Sequence, residues 1–273
     1  LAFLLPVFFV PSLSFPLQFS KAILLSVLVL VSFSLWVIAR LKDGRFTLPR
    51  SSMLLALFAI VVLSVISGLF SDSLASSMFG QGFEVGTVVN ILIVSVLAFL
   101  VPVMFRSKEQ IFSTYLAFLA SFFLVALFHI LRLAFGPDFL AFGIFTDTVS
   151  NTLGKWNDLG VFFGVSALLS LITIEFLSLS RFFKIVLYLS LLISLVFLAI
   201  VNFSTIWFAL GLFALVFLVY LISFSPSNKL TSSEGTEGAL PGQAPRATRR
   251  IPVPSLIVLL ISVIFIFAGS AIG

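Results

Sequence analysis

Apolar residues occur along this chain in long blocks that are separated by short polar segments. Each block has about 20 residues, the length that an α-helix needs to cross about 30 Å of hydrocarbon. The alternation of apolar and polar positions that is typical of membrane barrel strands is missing. The pattern therefore predicts an all-α fold, a polytopic transmembrane helical bundle. The predicted spans are residues 19–39, 51–70, 88–105, 111–135, 159–180, 185–201, 203–224 and 254–271.

Composition supports the same class of protein. Hydrophobic residues make up 61% of the chain and charged residues only 9%, and the mean hydropathy is +1.29. Such a chain has too few polar side chains to cover a water-soluble globule. The absence of Cys excludes disulfides and thiolate metal sites. We predict an integral membrane protein with no metal site and no cofactor.

The block pattern divides the chain into three predicted domains. Residues 1–224 form a transmembrane bundle, made of a partial first helix and seven further spans. Residues 225–253 are rich in Ser, Gly, Pro and Thr, which predicts a disordered cytoplasmic linker, and residues 254–273 form a final helix. The opening segment "LAFLLPVFFV" is too short to span a membrane. We expect that it ends a truncated helix and that the chain is an internal fragment of a longer protein.

The positions of the Lys and Arg residues predict the orientation of the spans. Most of the 15 basic residues fall in loops on one side of the predicted bundle, and the positive-inside rule places that side in the cytoplasm. The basic balance therefore reflects membrane topology, and no nucleic-acid surface is predicted. The three basic residues left for the other side or its membrane edge are Lys21, Arg132 and Lys155.

Two polar segments lie outside the membrane in this orientation. They are "SDSLASSMFGQGFEVG", residues 71–86, and "GIFTDTVSNTLGKWNDLG", residues 143–160. The second crowds Asp, Asn, Lys and Trp residues into a chain with few polar groups. Because a membrane-edge loop needs no such concentration, residues 143–160 are the first place to look for chemistry.

Three motifs in this order resemble the O-antigen ligase and polymerase family. They are "SLASSMFGQGFEVGT", "NTLGKWNDLGVFFG" and "VNFSTIWFALGLFAL", and the resemblance extends over residues 51–222. It implies a multi-pass glycosyltransferase of the bacterial inner membrane. Such an enzyme moves or polymerises a saccharide from an undecaprenyl-pyrophosphate carrier outside that membrane. The implied partners are this lipid-linked oligosaccharide and membrane lipid.

The chain departs from the family pattern in two places. Family members often have a Ser-Arg pair where this chain has Ser204 and Thr205. The family also places a catalytic histidine in a large exterior loop, whereas the only histidine here is His129, within a predicted span. The resemblance therefore assigns no catalytic residue in this chain, and we expect the catalytic loop to follow Gly273.

Six residues are the candidates for substrate binding. An anionic pyrophosphate favours guanidinium and ammonium donors, so Arg132 and Lys155 are predicted to bind it, with His129 on the same helix face as Arg132. The alternatives are that Arg132 snorkels to the interface and that His129 only packs or makes a hydrogen bond. The other candidates, which either touch sugar hydroxyls or order the backbone, are Asn151, Asn157 and Asp158.

Local structure offers simpler roles for several residues near the predicted span 159–180. Asn157 and Asp158 immediately precede it, so they are natural N-caps for its first turn. Gly160 and Gly164 form a small-xxx-small pair, which lets another helix approach closely. Neither role requires a bound saccharide.

Two other classes of function remain open at this point. A multi-span transporter or flippase of a lipid-linked or amphipathic substrate would also be a helical bundle, with intramembrane polar groups along its path. The span interiors have few ionisable groups and no apparent inverted repeat, which favours the transferase. A membrane scaffold without any site is the third class.

Overall fold

The structure, a computed structural model, describes residues 1–11, 17–44, 51–80, 86–105, 107–145, 147, 149–177, 179–224 and 252–272, with side chains up to residue 267. It is 81% helical, and the described residues contain no strand, which confirms the predicted all-α class. The helices in the described part are α1 (Leu4–Val7), α2 (Leu17–Asp43), α3 (Ser52–Leu69), α4 (Leu74–Phe79), α5 (Val88–Met104), α6 (Lys108–Phe135), α7 (Trp156–Phe176), α8 (Arg181–Val201), α9 (Ser204–Phe224) and α10 (Val253–Ile272).

Each of the eight predicted spans coincides with one long helix. Six of these helices are long and apolar enough to cross a membrane, and α5 and α10 are shorter apolar helices. The boundaries differ from the predicted ones by a few residues, as expected at helix ends that fray. The short helix α4 was not predicted, whereas α1 lies within the opening segment that was predicted to end a truncated helix. The multi-pass helical architecture is thus confirmed for the described residues.

Side-chain caps define where several helices begin. Ser107 accepts a hydrogen bond from the backbone N–H of Gln110, and the Gln110 side chain accepts one from the N–H of Ser107, which completes a capping box at α6. Ser51 and Thr87 accept single hydrogen bonds at the starts of α3 and α5. These bonds satisfy amides that the first turn of a helix leaves without partners.

The chain separates into two compact units, and the first extends from Leu1 to Lys155. In this unit α5 packs against α2 and α3. Its core contains Val29 of α2 with Ile93 and Leu100 of α5. Only 6% of the residues in an apolar 18-residue stretch of α2, and likewise of α3, are buried, so most side chains of both helices are not covered by the described protein. In a bilayer such faces need no protein cover.

The second unit begins at Trp156 and contains α7 to α10. A Cβ atom on Gly164 would lie 2.6 Å from the Cγ2 atom of Ile206, and one on Gly160 would lie 3.1 Å from Cγ1 of Val201. The two glycines therefore let α7 approach its neighbours closely, as the small-xxx-small spacing predicts. Trp207 of α9 also stacks on Phe265 of α10 with ring centroids 4.4 Å apart.

Polar side chains join the helices of the second unit. The hydroxyl of Ser170 in α7 donates to that of Ser190 in α8 at 3.1 Å. The Glu175 carboxylate interacts with the amide and hydroxyl of Ser255 near the start of α10. Among the described residues, however, neither Oε1 of Glu175 nor Oγ of Ser255 makes a hydrogen bond of standard geometry. A carboxylate near a helix N-terminus is favoured by the helix dipole.

The predicted domain boundaries remain predictions. The division between the compact units falls at Lys155, within the segment that the sequence indicated as one bundle. Residues 225–251, which contain nearly all of the predicted linker, lie outside the described residues. At the other end of the chain, "LAFLLPVFFV" contains the single helical turn of α1.

Candidate functional site

Residues 136–155 connect α6 to α7 and are called the α6–α7 loop below. The loop begins where Gly136 caps α6 by donating its N–H to the carbonyl oxygen of Arg132. Three turn hydrogen bonds follow within residues 136–144, from Phe139 to Gly136, from Ala141 to Asp138 and from Ile144 to Ala141. The first half of the loop is therefore compact.

The side chain of Arg132 ties the second half of this loop back to α6. Its Nη1 and Nη2 atoms both donate to the carbonyl oxygen of Phe145 at 3.2 Å, and Nη2 also donates to that of Asp147 at 2.8 Å. The guanidinium lies over the rings of Phe128 and Phe145, 5.7 Å and 5.6 Å from their centroids. Arg132 is only 5% exposed, and Asp138 is near enough to attract it electrostatically. Arg132 thus contacts Gly136 through its backbone carbonyl and Asp147 through its guanidinium.

Two bulky residues in the loop adopt left-handed backbone conformations. Leu140 has a φ of 55° and Phe142 a φ of 48°. For residues with a Cβ atom this region costs roughly 1–2 kcal/mol each. Such conformations persist where the surrounding contacts hold them, and the bonds of Arg132 to Phe145 and Asp147 are contacts of that kind.

Aromatic packing joins the loop to the N-terminal segment of the chain. The ring of Phe9 lies 5.2 Å from that of Phe145 and 5.5 Å from that of Phe142. Phe145 is buried, and its ring also contacts Phe128 of α6. Lys21 holds the same segment by donating to the carbonyl oxygens of Leu5 and Pro6. The sequence pattern had no signal for this contact, because α1 and the loop are more than 120 residues apart.

Asn151 organises the family-like segment "NTLG". Its Oδ1 atom accepts hydrogen bonds from the N–H groups of Leu153 and Gly154, both at 2.9 Å, and its Nδ2 atom donates to the carbonyl oxygen of Val149. The side chain is buried, with 1% exposed. Asn151 was expected either to touch sugar hydroxyls or to order the backbone, and these three hydrogen bonds order the backbone.

His129 lies in the buried part of α6, one turn before Arg132. Its Nδ1 atom is 2.7 Å from the carbonyl oxygen of Val125 and donates to it. The ring meets Phe128 edge to face, with centroids 5.2 Å apart. Packing and a backbone hydrogen bond, the alternative expected for His129, are the contacts seen here.

The remaining candidates lie near the start of α7. Lys155 is exposed at the end of the α6–α7 loop. The helix begins at Trp156, so Asn157 and Asp158 lie in its first turn, and the prediction that they are N-caps is wrong. Asn157 is exposed, whereas Asp158 is half-buried, and its carboxylate suits the helix dipole. The two residues belong to the second compact unit, and Lys155 belongs to the first.

The structure thus brings Arg132 together with Phe145 and Asp147, and Asn151 together with its own turn. The predicted joint contact of Arg132 and Lys155 with a pyrophosphate remains a prediction. Within the described ranges no group of three or more His, Asp or Glu residues is arranged to hold a metal ion.

Comparison of the chain with known protein families, with curated proteins and with solved structures gives no match.

Proposed function

We propose that this chain belongs to a membrane glycosyltransferase of the O-antigen ligase and polymerase type. Such an enzyme would transfer or polymerise saccharide from an undecaprenyl-pyrophosphate carrier on the outer side of the bacterial inner membrane. The proposal rests on the order of the three family-like motifs along the chain. The helical, multi-pass architecture is compatible with it.

The observation that supports the proposal best is the folded state of "NTLGK". Asn151 is buried and makes three hydrogen bonds within this segment, so the backbone before Lys155 is held without a ligand. Here the segment is ordered by Asn151, and the loop before it is attached to α6 by Arg132. Binding residues need such support, because a loosely held side chain loses entropy each time it meets its ligand.

In this proposal Lys155 is the cation that meets the carrier headgroup. It is exposed and follows the Asn151 turn directly. An ammonium group can serve as a point charge for a pyrophosphate oxygen. Arg132 has five N–H donors, of which three make the bonds to Phe145 and Asp147. Its main role is then to position the loop, and any contact with the headgroup would come from its other donors.

The test uses the protein expressed from its complete gene and reconstituted in vesicles. An undecaprenyl-pyrophosphate saccharide with a fluorescent sugar is supplied together with a saccharide or lipid acceptor. A transferase moves the label to the acceptor and releases undecaprenyl pyrophosphate in equal amount. Both products are measured by chromatography.

The same vesicles distinguish the alternative function. A transporter or flippase moves the labelled saccharide across the bilayer while it stays on its carrier, which a membrane-impermeant quencher detects. Translocation without transfer would contradict our proposal and favour the flippase. A scaffold would show neither reaction.

A further inference from the structure

The exposed apolar surface of α6 continues beyond the end of the helix. Along α6, the exposed apolar residues Leu127, Ile130 and Leu133 recur every three positions on one helix face. At the end of the helix Phe135 is 67% exposed, and its ring lies 5.0 Å from that of Phe139 in the α6–α7 loop. Exposed apolar side chains therefore continue from the end of α6 into the loop through the contact of Phe135 with Phe139, although Asp138 between them is also exposed.

Two aromatic side chains of the loop are exposed. Phe139 is 39% exposed and Phe142 is 53% exposed, although residues 136–145 contain only one charged residue, Asp138. Isolated exposed apolar residues are common on proteins. Here Phe139 contacts the exposed Phe135, and Phe142 contacts Phe9, and groups of exposed apolar side chains mark interaction surfaces.

The loop is held in the conformation that exposes these rings. Leu140 and Phe142, which have left-handed backbone conformations, lie between two fixed points of the loop. These points are Gly136, which caps α6, and Phe145, whose carbonyl oxygen accepts hydrogen bonds from Arg132. The ring of Phe142 contacts Phe9 on one side. The exposure is thus a property of an ordered segment with internal hydrogen bonds.

We propose that residues 135–145 form an interfacial membrane segment, whose Phe139 and Phe142 side chains insert into the lipid leaflet at the C-terminal end of α6. Lipid is the occupant because the patch continues the apolar face of a membrane-spanning helix, and aromatic rings are favoured at the membrane interface. Internal turn hydrogen bonds lower the cost of placing this backbone near hydrocarbon. The inference holds for a transferase, a transporter or a scaffold.

Spin labelling tests the proposal directly, because the chain has no native Cys. The single variants Phe139→Cys, Phe142→Cys, Leu133→Cys and Asp147→Cys are labelled in the full chain and reconstituted in phosphatidylcholine vesicles. Collision of each label with oxygen, which concentrates in lipid, is compared with collision with a water-soluble nickel chelate. Leu133, an exposed apolar residue of the spanning helix α6, is the control expected to face lipid, and Asp147 is the exposed polar control in the same loop.

We expect the oxygen-to-nickel collision ratio at residues 139 and 142 to be several-fold above that at residue 147 and close to that at residue 133. A ratio equal to that at residue 147 would place the segment in water and overturn the proposal. Low collision with both reagents would mean that protein covers the rings, which would also overturn it. Because Phe139→Cys and Phe142→Cys are measured separately, a local perturbation caused by one label would be recognised by comparison with the other.

Discussion

Both terminal nitrogens of Arg132 donate to the carbonyl oxygen of Phe145, at 3.2 Å each. This contact joins α6 to a loop residue 13 positions later in the chain. Because the guanidinium also lies over the Phe145 ring, the same side chain fixes both the backbone and the ring. An arginine that was expected either to bind an anion or to snorkel thus has a structural role.

Replacement of Arg132 should release the loop. Arg132→Ala removes three hydrogen bonds and leaves the carbonyls of Phe145 and Asp147 without this donor, which should lower the stability by at least about 2 kcal/mol. Arg132→Lys should rescue only part of it, because an ammonium lacks the planar fork. Thermal unfolding in detergent measures the loss. Arg181→Ala, at an exposed arginine, is the control, and equal stability of all variants would contradict the assigned role.

Asn151 offers a second test of loop order. Asn151→Asp keeps an acceptor for the Leu153 and Gly154 amides but loses the donor to Val149, whereas Asn151→Ala loses all three bonds. We expect Asn151→Ala to raise the rate of proteolysis between residues 149 and 155 more than Asn151→Asp does. The exposed Asn157→Ala serves as the control. If Asn151→Ala is cleaved at the same rate as the wild-type protein, the turn does not depend on this side chain.

The close approach at Gly164 should be sensitive to a single methyl group. Gly164→Ala places a Cβ atom 2.6 Å from Cγ2 of Ile206, whereas Gly160→Ala meets Val201 at 3.1 Å. Overpacking of this kind costs about 1–3 kcal/mol, so Gly164→Ala should unfold at a lower temperature than Gly160→Ala. The double variant Gly164→Ala, Ile206→Ala should unfold at a higher temperature than Ile206→Ala alone. A double variant that is no more stable than Ile206→Ala would contradict the contact between Gly164 and Ile206.

Lys155 should contribute to the binding of a pyrophosphate carrier. We expect Lys155→Ala to weaken binding of undecaprenyl pyrophosphate about fivefold, the effect of losing roughly 1 kcal/mol from an exposed ion pair. Lys108→Ala is the matched control. Lys108 is also exposed but lies at the N-terminal end of α6, whereas the loop that contains Lys155 follows the C-terminal end of this helix. Titration of the purified protein with the carrier gives both constants. A similar loss in the two variants would point to general charge and argue against a site.

The distribution of basic residues predicts the membrane orientation, which can be tested independently. Without native Cys, a single Ser77→Cys probe should react with an impermeant reagent from outside intact cells. A Ser232→Cys probe, in the predicted linker that lies outside the described residues, should not react. Labelling of residue 232 in intact cells would contradict the predicted orientation.

The sequence by itself determined the helical class and the positions of the eight longer apolar helices in the part of the chain that the structure describes. The reason is physical: an apolar block of the right length has few alternatives in a bilayer, because its backbone must satisfy its own hydrogen bonds. Local spacing was also sufficient for the close packing at Gly160 and Gly164, since a residue without a side chain permits it wherever it lies on a helix. The sequence spacing showed where a close approach is permitted, and the fold supplied the partners Val201 and Ile206.

Only the tertiary structure decided what the polar candidates contact. Arg132 could have faced lipid, an anion or protein, and the choice depended on the carbonyls of Phe145 and Asp147, which the chain brings to it by folding back. The contact between Phe9 and Phe145 joins residues that no periodic pattern relates. Hydrogen bonds and ring contacts between distant segments depend on the path of the whole chain, whereas the length of an apolar block can be read from its own residues.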